Sequence, residues 1–254
     1  MKLPLFALQE VSKKYSNKKN GFSLQNISFS IFAGETLGVI GESGSGKTTL
    51  GKLLIRLLLA DCGSIVFRDK DLALLSKSEI TQYRRSVQMV FQNPSLTCNP
   101  KKRIRDILLE PLEIHKLLPI NQRYERIAEL LHLVQLPADL TLKYPSECSG
   151  GQLQRVGIAR ALALSPEVII FDEPLTALDL PTAMQIVDLL YSLQKKLNLT
   201  YIFISHDLSM IQKIAHRILV LKGGRVIELG TTQEILLAPR EEYTKNFISA
   251  SFLL

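Results

Sequence analysis

Residues 41–49 form a pattern suited to holding a phosphate group. They match GxxxxGK[ST], with Gly41 first and Gly46, Lys47 and Thr48 at the end, between a strand-like run and an apolar helix-like run. Glycines let backbone N–H groups curl around a phosphate, and the helix start adds further N–H groups and a positive dipole end. Lys47 supplies a point charge for the β- and γ-phosphates, Thr48 a hydroxyl ligand for Mg²⁺, and Thr49 a donor to a phosphate oxygen. The sequence therefore predicts a phosphate-binding loop.

Two adjacent carboxylates follow the apolar run 168–171. Asp172 has the position from which a carboxylate holds Mg²⁺ in phosphate-loop proteins, and Glu173 can polarise an attacking water as a general base. A strand that simply ends in charged, solvent-facing residues is the alternative. That alternative is weak in a chain that also carries a phosphate-binding loop.

A second helix start with anion-binding character lies at residues 149–152. Ser149 precedes Gly150, Gly151 and Gln152, and the helical pattern continues to Leu164. Serine is a common N-cap residue, so a helix cap is the alternative interpretation. Two glycines cost helix propensity at this place, and capping alone does not explain them.

Elements of an α/β fold position these residues. Short apolar runs alternate with longer helical patterns, which is typical of a sheet with crossover helices. The predicted strands are Leu5–Val11, Ile27–Phe32, Thr36–Ile40, Ser64–Phe67, Gln88–Phe91, Val168–Phe171, Tyr201–Ile204, Ile218–Leu221 and Arg225–Glu228. Amphipathic helical patterns replace strands from about residue 93 to 165, notably at Arg123–Val134 and Gly151–Leu164, and Leu50–Leu59 is a further predicted helix. We expect one domain over 1–254, with a core of 1–92 and 166–254 and an inserted helical lobe of about 93–165.

Composition excludes several other classes of protein. The chain has 254 residues, 46% of them hydrophobic, and a net charge of +7. Its basic residues are scattered without interleaved aromatic side chains, so no nucleic-acid stripe is predicted. The apolar run 3–8 is far below the roughly 20 residues that span a bilayer, and no signal peptide is expected. Cys62, Cys98 and Cys148 form no CxxC pair, which favours a reducing cytoplasm over a disulfide framework or zinc site.

Taken in order along the chain, these motifs resemble those of ABC transporter ATPases. The resemblance covers nearly the whole chain and implies a RecA-like phosphate-loop ATPase core with an antiparallel β edge and an inserted α-helical subdomain. It implies ATP and Mg²⁺ as cofactors. It assigns nucleotide contacts to Tyr15, Gly41, Ser43, Gly44, Gly46, Lys47, Thr48, Thr49, Ser149, Gly150, Gly151, Gln152 and Asp179. It assigns catalytic roles to Glu173, His206 and Gln92, and Mg²⁺ contacts to Thr48, Gln92 and Asp172.

Some of these positions also have ordinary structural interpretations. Tyr15, expected to stack on adenine, could be a strand-end aromatic; Gln92 could be a loop residue, and His206 could bond the backbone at a helix start. Two residues depart from the family pattern. Cys148 stands where Leu or Phe usually begins the signature, and Cys packs as a small hydrophobe. Asn93 stands where related importers often carry Asp.

The tail up to Leu254 carries no cysteine cluster, which favours the shorter of the two paired ATPases of the peptide/nickel importer branch of that family. Further stretches resemble that branch. They are residues 84–92, 99–100, 107–112 and 149–155, and a tail in which Pro239 precedes 243–245. Glu241 and Glu242 replace the usual His-Pro of the branch's tail motif.

The resemblance implies an ATPase subunit that drives a bacterial importer, most directly for di- and oligopeptides. Its expected partners are a second ATPase subunit, identical or paralogous, transmembrane permease subunits and, indirectly, an extracytoplasmic substrate-binding protein. The expected location is peripheral, at the cytoplasmic face of the cell membrane, with no nucleic acid involved. A nickel or metal-chelate importer of the same branch, and a soluble ABC protein acting on ribosomes or DNA, are the alternatives. A GTPase is rejected, because Asn17–Asn20 lacks the guanine-reading Asp.

Overall fold

The computed structural model describes residues 3–15, 22–93 and 97–252. Within them the chain forms two compact units. The first unit holds the described residues up to Ile80 and from Thr200 onward, and the second holds Thr81–Leu199.

Strands and helices alternate along the chain, as predicted for an α/β fold. The strands are β1 (Phe6–Lys14), β2 (Phe22–Ile31), β3 (Thr36–Ile40), β4 (Cys62–Phe67), β5 (Lys70–Asp71), β6 (Val87–Val90), β7 (Val168–Asp172), β8 (Thr200–Ile204), β9 (Arg217–Lys222) and β10 (Arg225–Thr231). The α-helices are α1 (Lys47–Leu54), α2 (Lys77–Ser86), α3 (Ile104–Ile114), α4 (Ile120–Leu133), α5 (Gly150–Leu162), α6 (Leu180–Leu197), α7 (Leu208–Ile214), α8 (Thr232–Leu237) and α9 (Glu242–Phe252). All nine predicted strands are present, with ends that differ by up to five residues.

Parallel pairing in the first unit brings the ends of three strands to one edge. Strand β3 lies between β8 and β9 and pairs in parallel with both, while β10 pairs antiparallel with β9. Every residue of β3 and β8 is buried, as is typical of central strands covered on both faces. The loop after β3 and the loop after β8 therefore emerge at the same edge of the sheet.

An antiparallel sheet also belongs to the first unit. Its strand order is β2-β1-β4-β5, which confirms the predicted antiparallel β edge. Strand β1 shifts register between Leu8 and Val11, where Glu10 adopts a φ of 52°. This β-bulge lets the strand keep Leu8 and Val11 both buried although they are three residues apart.

The second unit contains the strands β6 and β7 and a group of helices. The two strands pair in parallel from Val87 with Val168 to Val90 with Phe171. Between them, the described residues form helices and 3-10 turns. Helix α4 buries Ile127, Leu130 and Leu131, the spacing of one apolar helix face.

Helix α1 is shorter than its sequence pattern predicts. It ends at Leu54, and Arg56 takes a left-handed φ of 54°. The remaining apolar residues up to Leu59 therefore do not continue the helix. No helix among the described residues is long and apolar enough to cross a membrane.

Candidate active site

The phosphate-binding loop of the first unit depends on glycine at two close backbone approaches. Gly41 has a φ of 149°, and a Cβ atom there would lie 2.2 Å from the carbonyl oxygen of Leu221. Gly46 has a φ of 107°, and a Cβ atom there would lie 2.6 Å from the carbonyl oxygen of Ser23. Both glycines are therefore required by conformation and by space.

Lys47, the first residue of α1, places its charge inside this loop. The residue is buried, and its Nζ donates to the carbonyl oxygens of Gly41 at 2.7 Å and Glu42 at 2.9 Å. A buried ammonium group held by carbonyl groups, next to a helix start, gives the loop a strong positive field. That field suits the phosphate chain of a nucleotide.

Two buried hydroxyl groups, those of Ser45 and Thr49, belong to the phosphate-binding loop and the helix that follows it. Thr49, predicted to donate to a phosphate oxygen, is buried and shares a 2.8 Å hydrogen bond with Ser23 on β2. Ser45 has a buried Oγ with no hydrogen-bond partner in the described part of the chain. Thr48, by contrast, is exposed, and its Mg²⁺ contact stays a prediction.

The structure brings His206 to the same sheet edge as the loop. Val39 of β3 pairs with Ile204 of β8, and Ser205 N–H donates to the Val39 carbonyl oxygen at 3.2 Å. His206 follows and is exposed, just before Asp207 caps α7. Tyr15 lies directly after β1 and is half-buried. Its adenine contact stays a prediction.

In the second unit, Gln92 and Glu173 are hydrogen-bonded to each other. Because β6 and β7 are parallel, the residues that follow them meet at one edge, and Gln92 Nε2 donates to Glu173 Oε2 at 3.1 Å. Asp172, the last residue of β7, is buried. Glu173 has a left-handed φ of 49°, a conformation that costs about 1–3 kcal/mol in a non-glycine residue and concentrates at functional sites. Thr176 Oγ1 donates to the Glu173 carbonyl oxygen at 3.3 Å.

The serine at the signature position is the N-cap of α5. Its Oγ accepts from Gln152 N–H at 3.2 Å, and Gln152 Oε1 accepts from Ser149 N–H at 3.0 Å, which forms a capping box. Ser149 and Gly150 are nevertheless exposed, so the helix start is accessible. A Cβ atom on Gly151 would lie 2.6 Å from Thr182 Cγ2, and this packing explains one of the two glycines.

Asp179 caps α6 in the same unit. Its carboxylate accepts from the Thr182 N–H and from the Thr182 hydroxyl, both at 2.9 Å, and these bonds lower the pKa of Asp179. Both oxygens thus have partners on α6. A nucleotide contact of Asp179 stays a prediction.

Cys148, the departure from the family's signature, is half-buried, and its Sγ donates to the Tyr144 carbonyl oxygen at 3.5 Å. Burial raises the pKa of its thiol, so the residue behaves as a small apolar group, as expected. Asn93 is exposed.

Sequence reasoning missed several residues that support these sites. Glu42 contributes its main-chain carbonyl group, which every residue type has, so this role cannot be recognised from the sequence. Ser23 and Thr176 act through ordinary hydroxyl contacts set by tertiary packing. Ser45 lies inside the predicted loop, and its position there was the one available signal.

The chain is similar to known proteins of one family. Residues 24–176 match the family described as ABC transporter. The chain is 44% identical to the dipeptide transport ATP-binding protein DppF of Lactococcus lactis, covering 94% of this chain and 76% of that protein. It is 43% identical to the oligopeptide transport ATP-binding protein OppF of Streptococcus mutans, covering 90% and 74%.

Solved structures are similar over most of their length. CbiO1 from Clostridium perfringens, part of the ABC transporter complex cbiONQ, superposes with a TM-score of 0.82 at 29% identity, covering 92% of this chain and 91% of that one. The ATP-binding cassette MJ0796, solved as a dimer bound to ADP and Pi, gives a TM-score of 0.79 at 29% identity, covering 89% and 98%. With the family match and the two relatives above, these similarities show that the chain belongs to the ABC transporter family.

Proposed function

We propose that this chain is the ATP-hydrolysing subunit of a bacterial importer of di- and oligopeptides. The observation that carries the proposal is the 42–44% identity, over 90% or more of this chain, to proteins named as dipeptide, oligopeptide or peptide import ATP-binding proteins. The two groups of site residues supply the chemistry that such a subunit needs.

Nucleotide binding is assigned to the phosphate-binding loop. Lys47 exchanges the carbonyl groups of Gly41 and Glu42 for phosphate oxygens, and the N–H groups at the start of α1 add to the positive field. Each contact of this kind with a charged group contributes about 1.5–3 kcal/mol. The loop is thus the main source of affinity for the phosphate chain.

Hydrolysis is assigned to Glu173, with Gln92 as its hydrogen-bonded neighbour. The 3.1 Å bond from Gln92 orients the carboxylate, and the left-handed backbone holds it in one direction. Glu173 then accepts a proton from the attacking water, which is general-base catalysis. His206, exposed at the edge of the first unit's sheet, is assigned a contact with the γ-phosphate.

Mg²⁺ is the proposed metal cofactor. Thr48, Gln92 and Asp172 offer hydroxyl, amide and carboxylate oxygens, the hard donors that Mg²⁺ selects, and Thr48 is exposed. When bound, the ion neutralises charge on the β- and γ-phosphates.

A second ATPase subunit, identical or paralogous, is proposed to complete the site. Ser149 and Gly150 stand exposed at the start of α5, where N–H groups and a positive dipole end are available to an anion. The structure of MJ0796 with ADP and Pi is a dimer. We therefore assign Ser149–Gln152 to the nucleotide held by the partner's phosphate-binding loop.

The helices of the second unit are proposed to dock a permease at the cytoplasmic face of the membrane. Ile114, Ile120 and Tyr124, at the end of α3 and the start of α4, are mostly exposed. A cleft of about 430 Å³ in the same unit is lined by Leu117 and Leu118 together with charged side chains such as Arg126 and Glu129. An amphipathic helix of a membrane partner would cover the exposed apolar side chains and pair with the charged ones. A substrate-binding protein outside the membrane would then deliver the peptide.

The first experiment measures ATP binding and ATP hydrolysis by Lys47→Ala, with Lys52→Ala on the same helix as the matched control. Lys47→Ala should bind ATP about 10- to 150-fold more weakly, the equivalent of one contact to a charged group. Lys52→Ala should behave as wild type. Equal turnover of Lys47→Ala and wild type would refute the nucleotide site.

The second experiment purifies the protein from bacterial membranes, identifies the attached subunits and measures uptake of a labelled dipeptide and of nickel. Co-purification of permease subunits and ATP-dependent uptake of the peptide are expected. Tyr124→Glu should lower uptake and leave ATP binding intact, whereas Tyr191→Glu, an exposed tyrosine on α6, should lower neither. Uptake of nickel alone would overturn the peptide assignment, and recovery with ribosomes would overturn the importer.

A further inference from the structure

The C-terminal helix α9 is anchored to the first unit just before it begins. Glu228 on β10 accepts the N–H of Arg240 at 2.9 Å and the N–H of Glu241 at 3.3 Å. Thr244, in the first turn of α9, is fully buried. These contacts hold the start of α9 against β10.

Tyr243 packs against the hairpin that supports the phosphate-binding loop. The Nζ atom of Lys222, the last residue of β9, lies 4.2 Å from the centroid of the Tyr243 ring, a cation–π contact. Two residues later, Gly224 N–H donates to the Ser45 carbonyl oxygen of the loop at 3.0 Å. Leu221, one residue earlier, provides the carbonyl group against which Gly41 packs. The Tyr243 ring therefore packs on the β9–β10 hairpin, and residues Leu221 and Gly224 of this hairpin contact the phosphate-binding loop.

The hydroxyl of Tyr243 lies close to Glu42 of the loop. Its Oη is buried and has no completed hydrogen bond within the described residues. Burial raises the pKa of this hydroxyl and the adjacent Glu42 carboxylate raises it further, while the Glu42 N–H acts in the opposite direction. A buried hydroxyl without a partner costs about 1–3 kcal/mol, so a small movement of Glu42 that completes the bond is favourable.

Glu42 connects this contact to the nucleotide site. Its carbonyl oxygen accepts from Lys47 Nζ, so the peptide at Glu42 changes its bonding when Lys47 turns to a phosphate. We propose that Tyr243 is a positioning residue: its hydroxyl donates to the Glu42 carboxylate when the loop holds the nucleotide, so that the C-terminal helix and the nucleotide stabilise each other. The inference rests on the proposed function, in that the loop has to be the ATP site.

Tyr243→Phe tests the inference, because it keeps the ring over Lys222 and removes only the hydroxyl. The dissociation constant for ATP should rise by up to about 10- to 150-fold, the range of one hydrogen bond to a charged group, and KM should rise with kcat at saturating ATP unchanged. Glu42→Ala should have the same effect, and the double variant should be no weaker than either single variant.

Hydrogen exchange of the segment 240–252 provides a readout that a merely structural role would not change. In the wild type, ATP should slow exchange of this segment, because the two sites are coupled. In Tyr243→Phe the slowing should disappear. Tyr191→Phe is the matched control, since Tyr191 also carries a lysine, Lys195, 4.3 Å from its ring centroid. It should match the wild type in both measurements.

The outcomes separate this inference from the site on which it rests. If Tyr243→Phe binds ATP within about twofold of the wild type, and ATP still slows hydrogen exchange of residues 240–252, the proposed positioning role of Tyr243 is overturned. Lys47→Ala, run alongside, reports on the site itself. If it binds ATP as tightly as the wild type, the proposed function fails and this inference fails with it.

Discussion

Glu173→Gln is expected to stop the chemical step while leaving ATP bound. Glutamine has nearly the same shape as glutamate, so the left-handed backbone at position 173 is strained to the same degree in both proteins. With its amide oxygen turned to Gln92 Nε2, the glutamine also keeps the 3.1 Å hydrogen bond. Only the proton-accepting carboxylate is lost.

The size of the effect follows from that single loss. Removing a general base lowers the rate about 10²–10⁴-fold, which corresponds to about 2.7–5.4 kcal/mol of transition-state stabilisation. Stability should change by less than about 0.5 kcal/mol, because no contact is removed. ATP affinity should stay within about twofold of the wild type for the same reason.

Single-turnover hydrolysis of ATP with Mg²⁺ measures the chemical step, and gel filtration with ATP measures assembly. We expect Glu173→Gln to elute as an ATP-bound dimer, with itself or with its paralogue, and Ser149→Arg to prevent this by blocking the start of α5. Glu129→Gln, a mostly exposed carboxylate paired with Arg126, is the control and should turn over as the wild type. Wild-type turnover by Glu173→Gln would refute its assignment as the base.

Three further changes test the packing around the sites. Gly41→Ala should weaken ATP binding more than about tenfold in a direct binding assay, because its Cβ would lie 2.2 Å from the Leu221 carbonyl oxygen at a φ of 149°; unchanged affinity would contradict the close approach. Gly151→Ala should lower the melting temperature although Ala favours helix, since its Cβ would meet Thr182 Cγ2 at 2.6 Å; a rise in melting temperature would mean that Thr182 moves aside freely. Burial alone would raise the pKa of Glu228. The hydrogen bonds that its carboxylate accepts from the N–H groups of Arg240 and Glu241, with the nearby Thr244 side chain and the charge of Arg240, together have the larger effect, so its pKa is lowered. Its charged form therefore stabilises the fold above its ordinary pKa, and this contribution disappears as the pH falls through the folded-state value. Glu228→Gln should melt below the wild type at neutral pH, with the gap closing in acid; a gap independent of pH would exclude the charge as its cause.

The sequence alone predicted the type of fold and indicated the candidate chemistry. The phosphate-binding pattern at 41–48, the carboxylates after 168–171 and the serine with two glycines at 149–151 each combine residue types that few other structures require together. Continuous apolar runs predicted the buried strands β7 and β8, because a strand covered on both faces has no solvent-facing side that requires polar residues. The order of these motifs then indicated the family.

Tertiary structure decided which groups touch. The bond between Gln92 and Glu173 joins residues 81 positions apart and arises because β6 and β7 run in parallel to one edge. The partner of Thr49 is Ser23 on another strand, and no pattern in either segment predicts the other. Tyr243 could be recognised in the sequence as part of a tail motif, but its place beside Glu42 follows only from the packing of α9 on the β9–β10 hairpin. The local sequence pattern determines the backbone conformation of a segment and which of its faces is apolar. Contacts between distant segments depend on the whole fold.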